Sequence, residues 1–288
     1  MIFTQIRNAT LVIEYGGYRF LVDPWLADLH IQEIKPTGWH MKPMAPLPFP
    51  KEEIIRDIDA VLVSHTHKDH FDEEAAKILP KDIPILTGNA VEQDTLRDIW
   101  GFQKVCNLKK ESPSFLGVTI KRTEGQHGPR PDKTAGTVCG FLLMSDSEKT
   151  VYIAGDTVYY QGVKDVLKKY HPDIIVLNAC GAAFSTGECM IMNSRDVAEV
   201  CIAAPNATII ASHMETVYHA TVTKKQLRDC LFKNRITHKG RHCFERRMYE
   251  LLRRYCNENT DEKLQQKLWT ICVRRNCSKD EQKKATAL

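Results

Sequence analysis

Residues 64–72 read Ser-His-Thr-His-Lys-Asp-His-Phe-Asp, with three histidines and an aspartate in the six positions 65–70. Imidazole and carboxylate at that density are the donor set of a divalent metal such as zinc, iron or manganese. The run follows Asp59-Ala60-Val61-Leu62-Val63, an apolar stretch that reads as a buried strand. It precedes a helix over 72–79 with Asp72 as N-cap, so the donors lie on a strand-to-helix turn. His65 and His67, two apart in extended backbone, point the same way and grip one ion. Asp69 and His70 come where the chain bends into the helix, and their side chains are free to serve a second. An ion needs about four ligands, so further donors must come from elsewhere.

Three later segments offer them, each at the end of a strand-like run. His127 closes residues 118–126, Asp156 follows Val151-Tyr152-Ile153-Ala154-Gly155, and His213 follows 207–212. Loops on a rigid sheet are where sites are built. Taken together, His65-Thr66-His67-Lys68-Asp69-His70, His127, Gly155-Asp156-Thr157 and His213 resemble the metal signature of the metallo-β-lactamase superfamily, over roughly residues 1–237. Leu21-Val22-Asp23-Pro24 is similar to a segment of its lactonase-like, metal-dependent hydrolase branch. The resemblance implies that His65, His67 and His127 hold a first metal, and that Asp69, His70 and His213 hold a second. Asp156 would bridge them. It also implies a four-layer αββα sandwich, an α/β fold that periodicity alone reads only as mixed α and β. Asp156 stands where the antibiotic-destroying members carry cysteine. His67 stands where flavodiiron members carry glutamate.

The expected chemistry is hydrolysis by a dinuclear centre, zinc first and manganese or iron as alternatives. Two adjacent divalent ions lower the pKa of a shared water to roughly 7 or below, so that a metal-bridged hydroxide attacks a small ester, lactone or phosphoester. Asp69 and His213 are assigned catalytic roles, Asp69 orienting the hydroxide or passing its proton to the leaving group. Asp23 and Asp72 are candidates to hold the far ring nitrogen of a ligating histidine, Asp72 also being the helix cap. His219, Tyr218, Asn178 and Arg130 are candidates for contacting substrate. A nuclease acting on nucleic acid and a non-catalytic metal-binding regulator are the alternatives.

The elements that must position these residues are legible as three short strands near 2–6, 10–14 and 18–22, with Gly16-Gly17 as a hairpin turn. Strands and helices then alternate, with helices over 89–100, 162–170 and 194–204, and a capping box at Thr223-Lys224-Lys225-Gln226. Residues 24–50 hold six prolines and Gly38-Trp39-His40, an irregular segment read as a lid. Residues 238–288 carry thirteen Lys and Arg against seven Asp and Glu, +6, so that of the +4 net charge of the chain residues 1–237 hold −2. This places a hydrolase domain at 1–237 and a basic extension at 238–288. Phe244, Met248, Leu251, Leu252 and Tyr255, then Leu264, Leu268 and Ile271, repeat at helical spacing. The extension is read as helical with a solvated basic face, though it also suits docking on the body, homo-oligomerisation, or an anionic partner such as membrane or nucleic acid. No apolar run nears eighteen residues and the ten cysteines form no Cys-x-x-Cys pair, which points to a cytoplasmic protein with reduced thiols, and the hydrolase resemblance implies a small-molecule substrate.

Overall fold

The computed structural model describes residues 1–29, 43–109 and 115–234, with the backbone of 271–274. β1 (Ile2–Arg7), β2 (Thr10–Tyr15) and β3 (Tyr18–Val22) form an antiparallel meander. Gly16 and Gly17, at φ +59° and +84°, make the tight turn between β2 and β3, a conformation that costs glycine little. After α1 (Lys51–Ile55) the sheet gains β4 (Ala60–Val63), β5 (Ile85–Thr87) and β6 (Val105–Asn107) in parallel. α2 (Glu73–Ile78) and α3 (Ala90–Asp94) are the crossovers, and α3 runs into one π-helical turn, Thr95–Ile99. The second sheet has the order β12-β11-β10-β9-β8-β7. It comprises β7 (Thr119–Glu124), β8 (Cys139–Ser145), β9 (Glu148–Ile153), β10 (Ile174–Asn178), β11 (Thr208–Ser212) and β12 (Ile271–Arg274). α4 (Gln161–Tyr170) and α5 (Ser194–Ala203) link its parallel strands, and α6 (Lys224–Lys233) follows β11.

Strand alternation explains why two sheets stack between helices. In β4, Ala60 and Leu62 face the inter-sheet core, while Val61 and Val63 pack with Ala75, Ala76 and Leu96 beneath the helices. In β10, Ile174 and Val176 face the same inter-sheet core, while Ile175 and Leu177 pack with Val163, Val197 and Leu227 on the other side. Strands buried on both faces read as continuous apolar runs. The architecture is the αββα sandwich expected from the resemblance.

Local signals place the helix starts. Asp72 accepts Ala75 N at 2.8 Å, and Thr223 with Gln226 forms a reciprocal capping box on α6. The tail differs from expectation at one point. Ile271, counted with a helical repeat, instead opens β12, which pairs antiparallel with β11 from Thr208↔Arg274 to Ala211↔Ile271. A β-branched residue on either side of Cys272 suits a strand, and β11 offers an edge to receive it. The other expected helical positions, Phe244 to Leu268, the 237/238 boundary and Gly38-Trp39-His40 lie outside the described residues. Of the expected lid, residues 24–29 and 43–50 form no helix or strand. Met44 N donates to Thr216 O at 2.9 Å, joining that segment to the turn beyond β11. Among the described residues no helix is long and apolar enough to cross a membrane.

Candidate functional site

The candidate residues gather at the carboxyl ends of β3, β4, β7, β9, β10 and β11. β4 delivers His65, His67, Asp69 and His70 on the turn into α2, tightened by bonds from His70 N and Phe71 N to His67 O at 2.8 and 2.9 Å. Asp156 leaves β9 through Gly155 at φ +69°, where a Cβ would stand 2.6 Å from the Cys139 carbonyl oxygen. His213 leaves β11 at φ +58°. Asn8 and Asp23 also turn the chain at positive φ, +54° and +43°, and such backbone conformations collect at functional sites.

Four imidazoles converge on one carboxylate oxygen. Asp156 Oδ2 lies 3.2 Å from His70 Nε2, 3.7 Å from His127 Nε2, and 3.8 Å from both His65 Nε2 and His213 Nε2. His65 Nε2 is 2.9 Å from His67 Nδ1, and His213 Nε2 is 3.1 Å from both His70 Nε2 and Asp69 Oδ2. Three donor groups each lie within 4.8 Å: His65, His67 and His127; His65, His70 and Asp156; and Asp69, His70 and His213. Nitrogen lone pairs and carboxylates crowded this closely, nearly all buried, form the donor set a divalent cation takes. The residues fit a metal, and the three groups overlap at His65 and His70.

The partners behind the ligands fix their orientation. Asp23 Oδ2 accepts from His70 Nδ1 at 2.8 Å and from Ser64 Oγ at 2.7 Å, while its Oδ1 accepts Ser64 N at 2.7 Å. Ser64 Oγ lies 3.0 Å from His65 Nδ1, so one carboxylate steadies two ligands. His127 Nδ1 faces the Met190 carbonyl at 3.0 Å, and buried Cys180 adjoins His213.

Charge within the cluster is strongly redistributed. Burial drives the His65 imidazole well below its usual value, reinforced by His70 and His67. Burial and His127 lower His67. Burial disfavours both carboxylates, yet His70 and His213 hold Asp156 far below the usual range, and the hydrogen bond from His213 to Asp69, helped by the charge of His70, does the same for Asp69. Burial also opposes the His70 imidazolium, but Asp156 and Asp23 push it up to about 10. His213 is raised against its own burial by Cys180, Asp156 and Asp69.

The remaining candidates separate. His219 Nε2 approaches Asp69 Oδ2 at 3.8 Å, with burial lowering its pKa. Tyr218 is 66 % exposed beside it. Asn178 Nδ2 donates to Asp156 Oδ1 at 2.6 Å and so orients that carboxylate. Asp72 holds no ligand: its Oδ1 caps α2 and its Oδ2 accepts Ala27 N at 2.6 Å, both backbone tasks. Arg130 lies at the surface, paired with Asp132 and Glu188, because the loop carries its own counter-charges. Sequence reasoning missed Asn8, whose Nδ2 lies 3.1 Å from His213 Nε2. It also missed Glu92, a buried carboxylate bonded by Thr66 and Thr137. The asparagine in a short turn before Thr10 gives no sign that its partners are about 60 and 200 positions away.

A family model, the β-lactamase superfamily domain, matches residues 18–214. UPF0173 protein YddR of Bacillus subtilis is 36% identical over 234 residues, 80% of this chain and 91% of that protein. The structure of an isothiocyanate hydrolase from Delia radicum gut bacteria is similar with a TM-score of 0.76 and 37% identity, covering 83% of this chain and 94% of that one. That of a possible metal-dependent hydrolase from Veillonella parvula is similar at 0.74 and 32%, covering 82% and 94%. The chain belongs to the metallo-β-lactamase superfamily, in its β-lactamase superfamily domain family, among the metal-dependent hydrolases.

Proposed function

We propose that the chain is a dinuclear hydrolase of small, uncharged electrophiles, with an organic isothiocyanate as substrate. The convergence of four imidazole nitrogens on Asp156 Oδ2 carries the metal part of this reading. His65, His67 and His127 would hold one ion and Asp69, His70 and His213 another, with Asp156 shared; zinc suits these donors first, and manganese or iron also fit. Bound there, the ions supply Lewis acidity and make water acidic enough to act as a nucleophile near neutral pH.

The likeness to an isothiocyanate hydrolase supports the substrate class. Local charge supports it too. Arg130 and Lys133, the cations on the loop that follows His127, are both engaged by Glu188 and are not held out for an anionic substrate. In R–N=C=S, water oxygen bonds to the central carbon while the C=S π pair moves to sulfur and one proton passes to Asp69 Oδ2. The sulfur pair restores C=S while the C=N π pair takes that proton at nitrogen, giving R–NH–C(=S)–OH; the hydroxyl proton then passes to nitrogen, the C–N σ bond breaks onto nitrogen, and the freed O–H pair closes C=O. The products are R–NH2 and carbonyl sulfide. Asp69 Oδ2 lies 3.1 Å from His213 Nε2 and 3.8 Å from His219 Nε2, a position that supports a part in passing that proton. His219, beside Asp69, stands at the approach to that step. The six described cysteines are all free thiols, which supports a reducing compartment such as the cytoplasm.

A panel of an aralkyl isothiocyanate, a lactone, a thioester and a phosphodiester tests the reading, with amine and carbonyl sulfide as the readout for the first. Turnover of the isothiocyanate is expected. Turnover confined to the phosphodiester would contradict it and favour a nuclease.

A further inference from the structure

Asn8 lies in the turn between β1 and β2, 2 % exposed, and its side chain reaches the centre from the opposite end of the sequence. Its Nδ2 is 3.0 Å from the Asp69 carbonyl oxygen, 3.3 Å from Asp69 Oδ2 and 3.1 Å from His213 Nε2. Its Oδ1 accepts Thr216 Oγ1–H at 2.8 Å. The backbone is anchored as firmly: Asn8 O accepts His213 N at 3.1 Å, Ser212 Oγ at 2.7 Å and Gln5 Nε2 at 2.7 Å. A carbonyl oxygen only accepts, so the Asp69 carbonyl requires the amide nitrogen, not the amide oxygen, to face the cluster.

An amide nitrogen carries two N–H groups. One is satisfied by the Asp69 carbonyl. The other points toward Asp69 Oδ2 and His213 Nε2, whose lone pairs are the ones a metal would take. A lone pair committed to an ion no longer accepts a hydrogen bond, so with metal bound this N–H would be left without those acceptors and available to a molecule reacting at the same atoms. We infer that Asn8 is a catalytic residue whose Nδ2–H stabilises the negative charge that develops on the substrate heteroatom, the isothiocyanate sulfur, as water adds to the neighbouring carbon. The inference rests on the hydrolase reading above and deepens it. A fixed, uncharged donor in a water-poor site suits a soft, transient anion, and it contributes most when charge peaks.

The backbone at φ +54° dictates the variants. Asn8→Gly removes the donor without strain, and Asn8→Asp keeps the shape while replacing the donor by an acceptor. On whichever substrate of the panel the wild-type protein turns over, kcat in Asn8→Gly is expected to fall about 100-fold, the usual effect of losing one such donor. KM should stay within about threefold and metal content should equal wild type; Asn8→Asp should lose at least as much. A second readout needs no turnover. Thiocyanate titrated into cobalt(II)-loaded protein, followed by the visible spectrum, should bind about tenfold more weakly to Asn8→Gly, as expected for one lost hydrogen bond.

Unchanged kcat and unchanged thiocyanate affinity would overturn the inference, as would loss of metal from both variants, which would make Asn8 an organiser of ligands only. If the wild type turns over a lactone and not the isothiocyanate, the substrate reading fails while Asn8 is still judged by its variants on the lactone. A wild type that neither turns over any substrate nor binds thiocyanate would overturn both.

Discussion

At the residue scale, the far nitrogen of each imidazole decides how firmly the near one is aimed. Asp23 is the clearest case, taking His70 Nδ1, Ser64 N and Ser64 Oγ with its two oxygens. Asp23→Asn keeps the shape and tolerates φ +43°, but it removes the charge that steadies His70. Metal affinity, measured by competition with a chelator, should fall about 10- to 100-fold, the usual cost of losing such a partner. The donor types at 65–70 were legible because chemistry and local spacing coincide there. The supporting roles were only half legible. Asp23 and Asp72 are both carboxylates beside ligand-bearing turns, yet one meets a histidine and the other meets backbone N–H groups, a difference set by the packing of residues 23–27 against the turn. Nothing local to Asn178 reveals that Asp156 lies within 2.6 Å of it.

At the element scale, the site depends on parallel strands whose carboxyl ends lie together. Apolar runs such as 60–63 and 174–178 announced these strands, and capping residues announced the helices that follow. Thr223 caps α6 by accepting Gln226 N at 3.1 Å while Gln226 Oε1 accepts Thr223 N at 2.8 Å. Thr223→Ala should cost about 1 kcal/mol in urea denaturation and leave metal content unchanged, since the cap touches no ligand. Strand β12 shows where periodicity misleads. Leu264, Leu268 and Ile271 fit a helical stripe by spacing, but the last belongs to a strand because the open edge of β11 supplies hydrogen-bonding partners that a local pattern does not contain.

At the scale of the whole molecule, two sheets press their inner faces together, and the candidate ligands span both: His65, His67, Asp69 and His70 come from the first, and His127, Asp156 and His213 from the second. Strands β1–β4, β7 and β9–β11 were legible, while β5, β6, β8 and β12 were not singled out; the assembly into two stacked sheets came from the resemblance, because period-2 alternation names a buried face without naming its partner. Tyr15, in the inter-sheet core, donates to Leu143 O at 3.2 Å across that interface. Burial, with Glu148 and Asp173, raises its phenol from 10.0 to about 12. The folded pKa lies above the unfolded one, so this contribution to stability is fully present below pH 10 and is lost as pH rises through about 12. Tyr15→Phe should flatten that part of the alkaline decline, seen as a smaller fall in melting temperature between pH 10 and pH 12. The union of the two sheets at one metal centre is tested most directly by elemental analysis and turnover of the wild type beside His67→Ala, with circular dichroism as the check on folding. The expected result is close to two divalent metals per wild-type chain with hydrolysis, and a folded His67→Ala protein that has lost metal and turnover together. Undiminished turnover in His67→Ala, or a wild type that takes up no metal, would contradict it.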